Sequence, residues 1–180
     1  LPNIPTGMYY GATNSELWYT TGNSVVRANV TTGATIATAT IQKKNSSGSW
    51  VTYTYDPTGI IEDVRTGFWI CSKSLGRVSK LEKNLRNITT ADFPAQGGRI
   101  AYEEELHDPD TGVLLHPTGL CVLSGKSTSP SNDVPNVGRF WVTCDNGNIY
   151  EIQVDLFDTG IEITQSVTSQ LLTIYGKRDE

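Results

Sequence analysis

Apolar and polar positions along the chain fall into short alternating runs, and the runs recur in one order three times. Each unit starts with Pro-Thr-Gly, at Pro5-Thr6-Gly7, Pro57-Thr58-Gly59 and Pro117-Thr118-Gly119. An apolar segment follows: Met8-Tyr9-Tyr10, Ile60-Ile61 and Leu120-Cys121-Val122-Leu123. The second runs read Leu17-Trp18-Tyr19-Thr20, Phe68-Trp69-Ile70-Cys71 and Phe140-Trp141-Val142-Thr143. Aromatic and β-branched residues of this kind suit a pleated, half-buried surface. Glycine turns come next, at Gly22-Asn23, Gly76-Arg77 and Gly147-Asn148, where a residue free to take positive φ closes a hairpin. The third runs are Val25-Val26-Arg27-Ala28, Val78-Ser79-Lys80-Leu81 and Ile149-Tyr150-Glu151-Ile152. Each places a charge two residues after its first apolar position, which predicts one buried and one wet face. Fourth runs at 35–41 and 161–167 lie behind Thr32-Gly33 and Thr159-Gly160, while the second unit has Asn84-Leu85-Arg86-Asn87 in place of that turn.

A fixed order of features repeated at intervals of about 50 to 60 residues marks a repeat architecture. Four short antiparallel strands per unit is the form of a β-propeller blade. The expected fold is therefore all-β, with three four-stranded blades: residues 1–56 with an inserted hairpin, 57–116 with an acidic loop, and 117–180 with a long Ser/Pro-rich loop. Propellers close with four or more blades, so these units are expected to form half of a six-bladed ring completed by a second copy or a second half-chain. The dibasic Lys177-Arg178 fits a processing site of such a half-chain. Trp18, Trp69 and Trp141 hold equivalent places and are expected to pack between blades. Three stretches depart from the pattern: 43–55, 94–115 with its acidic run Glu103-Glu104-Glu105, and 124–138. Long loops on one rim are where binding usually sits.

Composition narrows the function classes. With 37% hydrophobic and 18% charged residues among 180, the chain can bury a core. Its net charge of -5 supplies no basic face for the phosphates of nucleic acid or for an anionic membrane. No uncharged apolar run approaches the roughly 18 residues of a spanning helix. The expected partners are accordingly a protein, carbohydrate or small-molecule ligand, not nucleic acid and not a membrane. Cys71, Cys121 and Cys144 are too few for a disulfide framework and read as small buried hydrophobes, with Cys71 and Cys121 the candidate bridge between neighbouring units. Asn29-Val30-Thr31, Asn45-Ser46-Ser47 and Asn87-Ile88-Thr89 match the acceptor pattern for N-glycosylation. Together with a start at Leu1 lacking an initiator methionine, they lead to the expectation of a secreted, extracellular glycoprotein.

The order of Pro-Thr-Gly, apolar strand, aromatic-Trp strand, glycine turn and alternating strand resembles the propeller superfamily of virginiamycin B lyase, gluconolactonase and regucalcin-like enzymes, and NHL-repeat proteins, over residues 4–173. In lactonase-like members the residue between proline and glycine can be a metal-binding aspartate, and in the lyase a histidine. The resemblance thus marks Thr6, Thr58 and Thr118 as ligand-binding candidates, although a neutral hydroxyl is a poor substitute for carboxylate or imidazole. The lyase glutamate after its aromatic strand falls at Thr21, Ser72 and Cys144, with Asp145 one place further on. The catalytic candidates that remain are His116, Asp145 and Glu62. No metal site and no cofactor is evident; calcium is the divalent cation an enzyme of this kind would use. The expected function is a binding or scaffold module with contacts on rim loops. The alternatives are part of a metal-dependent lactonase or a lyase, and a repeating subunit of an extracellular assembly.

Overall fold

The computed structural model describes residues 4–11, 16–63, 67–122, 137–155 and 161–166. The chain is all-β and builds three four-stranded antiparallel sheets in sequence. The first runs β1 (Gly7–Gly11), β2 (Glu16–Thr21), β3 (Ser24–Asn29) and β4 (Thr35–Thr40), each strand beside the next. A separate hairpin of β5 (Gln42–Lys44) and β6 (Trp50–Thr52) leads to the second sheet, made of β7 (Pro57–Asp63), β8 (Gly67–Ser72), β9 (Arg77–Leu81) and β10 (Ile100–Glu105). The third holds β11 (Pro117–Cys121), β12 (Val137–Cys144), β13 (Ile149–Asp155) and β14 (Ile161–Ser166). Between β9 and β10 lie a 3-10 turn at Leu85–Asn87 and one turn of helix, α1 (Phe93–Gln96).

Equivalent residues pair at equivalent places in every sheet. Gly7 faces Thr20, Gly59 faces Cys71 and Gly119 faces Thr143; two steps on, Tyr9, Ile61 and Cys121 face Trp18, Trp69 and Trp141. The hairpins after β2, β8 and β12 close on Gly22, Gly76 and Gly147, whose φ of 53°, 63° and 82° lie in the left-handed region that a side chain disfavours. The three units read from the sequence are thus superposable meanders.

The innermost strands set the sheets side by side, with β7 running beside β1 on one flank and β11 on the other. The apolar faces then meet in two cores. Trp18 and Val25 of the first sheet pack on Ile60, Phe68 and Ile70 of the second, with Leu85, Ile88 and Phe93 from the connecting segment closing the same core. On its other face the second sheet sends Ile61, Trp69, Cys71 and Val78 against Phe140, Val142 and Tyr150 of the third. Rings meet across both seams: Trp18 and Phe68 have centroids 5.2 Å apart, as do Trp69 and Phe140. Tyr9 borders both cores.

Two expectations need correction. Alternation in the third runs suggests one wet face, but the middle sheet packs on both sides, so Val78 and Ser79 of β9 are buried as an adjacent pair, and Val25 and Val26 of β3 in the first sheet are buried as well. The acidic run is no loop insertion: Glu103, Glu104 and Glu105 end β10, the outer strand of the second sheet. Strand formation there follows from neutralisation by neighbours, since Arg77 on the adjoining β9 pairs with Glu103 at 3.1 Å and Glu105 at 2.5 Å, and Lys43 from the hairpin also pairs with Glu103. Residues 123–136, the Thr159-Gly160 turn and Lys177-Arg178 lie outside the described residues.

Candidate functional site

Pro-Thr-Gly proves to be a joint between sheets. The Thr6 hydroxyl donates to the carbonyl of Pro57, and the Thr58 hydroxyl donates to the carbonyl of Pro117 at 3.0 Å, so each threonine holds the proline of the next unit. The glycine allows the approach. A methyl placed on Gly7 would sit 2.5 Å from the Cα of Gly59, and one on Gly59 would sit 3.0 Å from the amide nitrogen of Leu120 and 3.3 Å from the Cα of Gly119. Each threonine also meets the facing residue of its own sheet: Thr20 Oγ1 lies 3.0 Å from Thr6 Oγ1, Cys71 Sγ lies 3.4 Å from Thr58 Oγ1, and Thr143 Oγ1 lies 3.1 Å from Thr118 Oγ1. Thr6 and Thr58 are therefore engaged in the scaffold.

These hydroxyls do not fit the divalent cation that the lactonase resemblance implies. They bring no carboxylate, and in Thr6 and Thr58 the proton is directed at a carbonyl. Among the described residues no group of three or more His, Cys, Asp or Glu side chains is placed to hold a metal.

The catalytic candidates separate into two places. His116 and Asp145 come together at the start of the third sheet, where the Asp145 amide donates to the His116 carbonyl at 3.0 Å. Lys73 links them: its carbonyl lies 2.9 Å from His116 Nδ1, and its ammonium lies 3.5 Å from Asp145 Oδ2. Both charged groups stand open to water, where such a pair contributes little. Glu62 lies elsewhere, near the end of β7, buried and clasped by Arg86, whose Nε donates to Oε1 at 2.6 Å while its second nitrogen holds Oε2. The Arg86 guanidinium stacks 5.2 Å from the Trp18 ring centroid. Burial, with the Glu62 carboxylate beside it, raises the Tyr9 phenol above its usual range. Glu62 thus belongs to an ion pair sealing the first core, an arrangement its position in the sequence does not signal.

The rim between the first and second sheets carries the other concentration of chemistry. Trp50 on β6 has Arg99 4.9 Å and Lys44 5.1 Å from its ring centroid, and Lys43 lies 5.1 Å from that of Tyr53. A groove of about 260 Å³ opens beside Trp50, with Lys44, Glu82, Tyr102 and Glu103 on its walls. The hairpin is anchored by Tyr55, fully buried, whose hydroxyl reaches the carbonyls of Ile70 at 3.3 Å and Arg77 at 3.4 Å. Of this cluster the sequence signals only Trp50 and the hairpin; Arg99 and Tyr102 arrive from 49 and 52 positions further along the chain.

Asn45 and Asn87 are exposed and Asn29 is half-buried. The side-chain oxygens of Asn29 and Asn45 accept from the backbone amides of Thr31 and Thr32, and of Ser47 and Ser49. The Cys71–Cys121 bridge is not made: all three cysteines are free thiols. Cys71 faces the core between the second and third sheets, whereas Cys121 is exposed and pairs with Trp141, on the opposite face of the third sheet from the core residues Val142 and Phe140. Burial pushes the thiols of Cys71 and Cys144 up to about 12, which leaves them protonated and unreactive at neutral pH.

Comparison with known proteins finds no matching family model and no matching curated relative.

Proposed function

We propose that the chain is a secreted, glycosylated β-propeller module that binds or scaffolds, and that its ligand contacts lie on the rim at the Trp50 groove. The observation that carries this reading is a division of labour: the inner-strand threonines join sheet to sheet, while an aromatic ring flanked by cations and carboxylates is held at the rim. A flat ring with hydrogen-bonding groups around it is suited to a sugar ring or a protein side chain, and the resemblance to NHL-repeat proteins agrees with a binding role. The candidate catalytic trio gives no competing centre, because Glu62 is committed to Arg86 and only His116 and Asp145 adjoin.

The test is a screen of the purified chain against immobilised oligosaccharides and extracellular proteins, alongside Trp50→Ala. Binding that falls at least tenfold in Trp50→Ala is expected. Binding indifferent to Trp50, or turnover of a lactone that disappears in His116→Ala, would replace the binding reading with another site or with an enzyme.

A further inference from the structure

The two inner seams are built from the same positions, and those positions appear once more on each outer flank without a neighbour among the described residues. On the first sheet, Met8 is 64% exposed, whereas its counterpart Ile60 in the second sheet is 1% exposed. Leu17 and Tyr19 are half-buried, while Phe68 and Ile70, their counterparts, are fully buried. The third sheet shows the complementary face. Trp141 is half-buried where Trp18 and Trp69 are buried, and Thr143 is exposed where Thr20 and Cys71 are buried.

The joint itself is open at both ends. Pro57 and Pro117, which receive a threonine, are buried; Pro5 is exposed. Thr118 is exposed, and among the described residues the sole atom within 4 Å of a methyl built on Gly119 is Thr143 Oγ1 of its own sheet, at 3.1 Å. One flank thus presents the threonine and glycine of the joint, and the other presents the proline and glycine that the joint takes.

We propose that a second copy of this chain docks on these flanks head to tail, Thr118 of each copy donating to the Pro5 carbonyl of the other and Trp141 packing over Met8, Leu17 and Tyr19. The occupant follows from continuity with the inner seams: the first sheet of a copy carries the same Pro-Thr-Gly as the second and third sheets, and Met8, Leu17 and Tyr19 stand as apolar or aromatic counterparts where the docked sheets have Ile60, Phe68 and Ile70, and Leu120, Phe140 and Val142. Two such contacts are equivalent by a two-fold axis and close into one ring of six sheets, whereas a head-to-tail contact that failed to close would grow without limit. The proposal rests on the propeller part of the functional reading and is independent of the Trp50 groove.

Light scattering on the 180-residue chain across a dilution series tests it, with Thr118→Arg, Met8→Arg and Trp50→Ala run in parallel. The wild type and Trp50→Ala are expected at twice the chain mass, and both arginine variants at the chain mass with unchanged circular dichroism. Cys121, on the docking flank, should react with a thiol reagent several-fold more slowly in the concentrated protein than after dilution. A wild type that stays monomeric throughout, species that enlarge steadily with concentration, or a dimer that survives Thr118→Arg would each overturn the proposal. Since Trp50→Ala reads the groove alone, loss of binding with the dimer intact separates the two readings.

Discussion

At the scale of single residues, the recurring threonine is explained by the carbonyl it holds. A hydroxyl in this place needs only a partner one unit away, so the same residue serves at Thr6 and at Thr58 while their neighbours change. Thr58→Val removes the donor to Pro117 and keeps the shape, and a lost hydrogen bond of this kind costs about 1 kcal/mol. Urea denaturation should show that loss, with Thr58→Ser restoring most of it; a valine variant as stable as wild type would show that the joint is held by packing alone. A second residue links the fold to pH. Burial raises the Tyr55 phenol well above 10, whereas in the unfolded chain it ionises near pH 10. The stability Tyr55 contributes is therefore complete below about pH 10 and declines as pH rises beyond it, because the unfolded state gives up its proton first. Denaturation at pH 9, 10 and 11 should show this decline, and Tyr55→Phe should flatten it. An equal slope in both proteins would assign the alkaline loss to other groups.

At the scale of elements, the inner strands can lie side by side because glycine stands at their crossing. Gly7→Ala would bring a methyl within 2.5 Å of the Gly59 backbone, a clash no side-chain rotation relieves, and separating the strands should cost about 1–3 kcal/mol. Among the described residues Gly119→Ala meets only a rotatable threonine hydroxyl, so thermal melts of the monomeric chain should rank Gly7→Ala well below Gly119→Ala. The reverse order would mean that β1 and β7 adjust more freely than their backbones suggest. The strands themselves were largely legible in the sequence, because aromatic pairs, period-two alternation and turn glycines are local signals. What was not legible depends on distant neighbours. β10 reads as a solvated acidic run until Arg77 and Lys43, 26 and 60 positions from Glu103, neutralise it. Likewise Glu62 reads as a free carboxylate until Arg86, 24 positions on, clasps it. His116 and Asp145 adjoin because the residue before an inner strand and the residue after its antiparallel partner lie side by side, whereas Glu62, the third candidate from the sequence, lies apart.

At the scale of the whole molecule, the second sheet decides how the structure comes apart. Its two faces complete different cores, Phe68 and Ile70 on one side and Trp69 and Cys71 on the other, so neither core can open without baring a face of the same strands. Unfolding should consequently be one event even though the chain has no single interior. Phe68→Ala empties a site between Tyr9 and Trp18, and Phe140→Ala empties one beside Trp69; deleting a buried phenyl ring costs about 3–5 kcal/mol. Calorimetry at a dilution that keeps the chain monomeric should give one transition for the wild type, shifted down as a whole by either substitution. A wild-type trace with two transitions, only the second of which moves with Phe140→Ala, would mean that the third sheet melts by itself and that the middle sheet does not couple the cores. A single transition would make the middle sheet the reason that open flanks are tolerated at all: with both of its faces covered, the joint positions left exposed among the described residues are those of the two outer sheets.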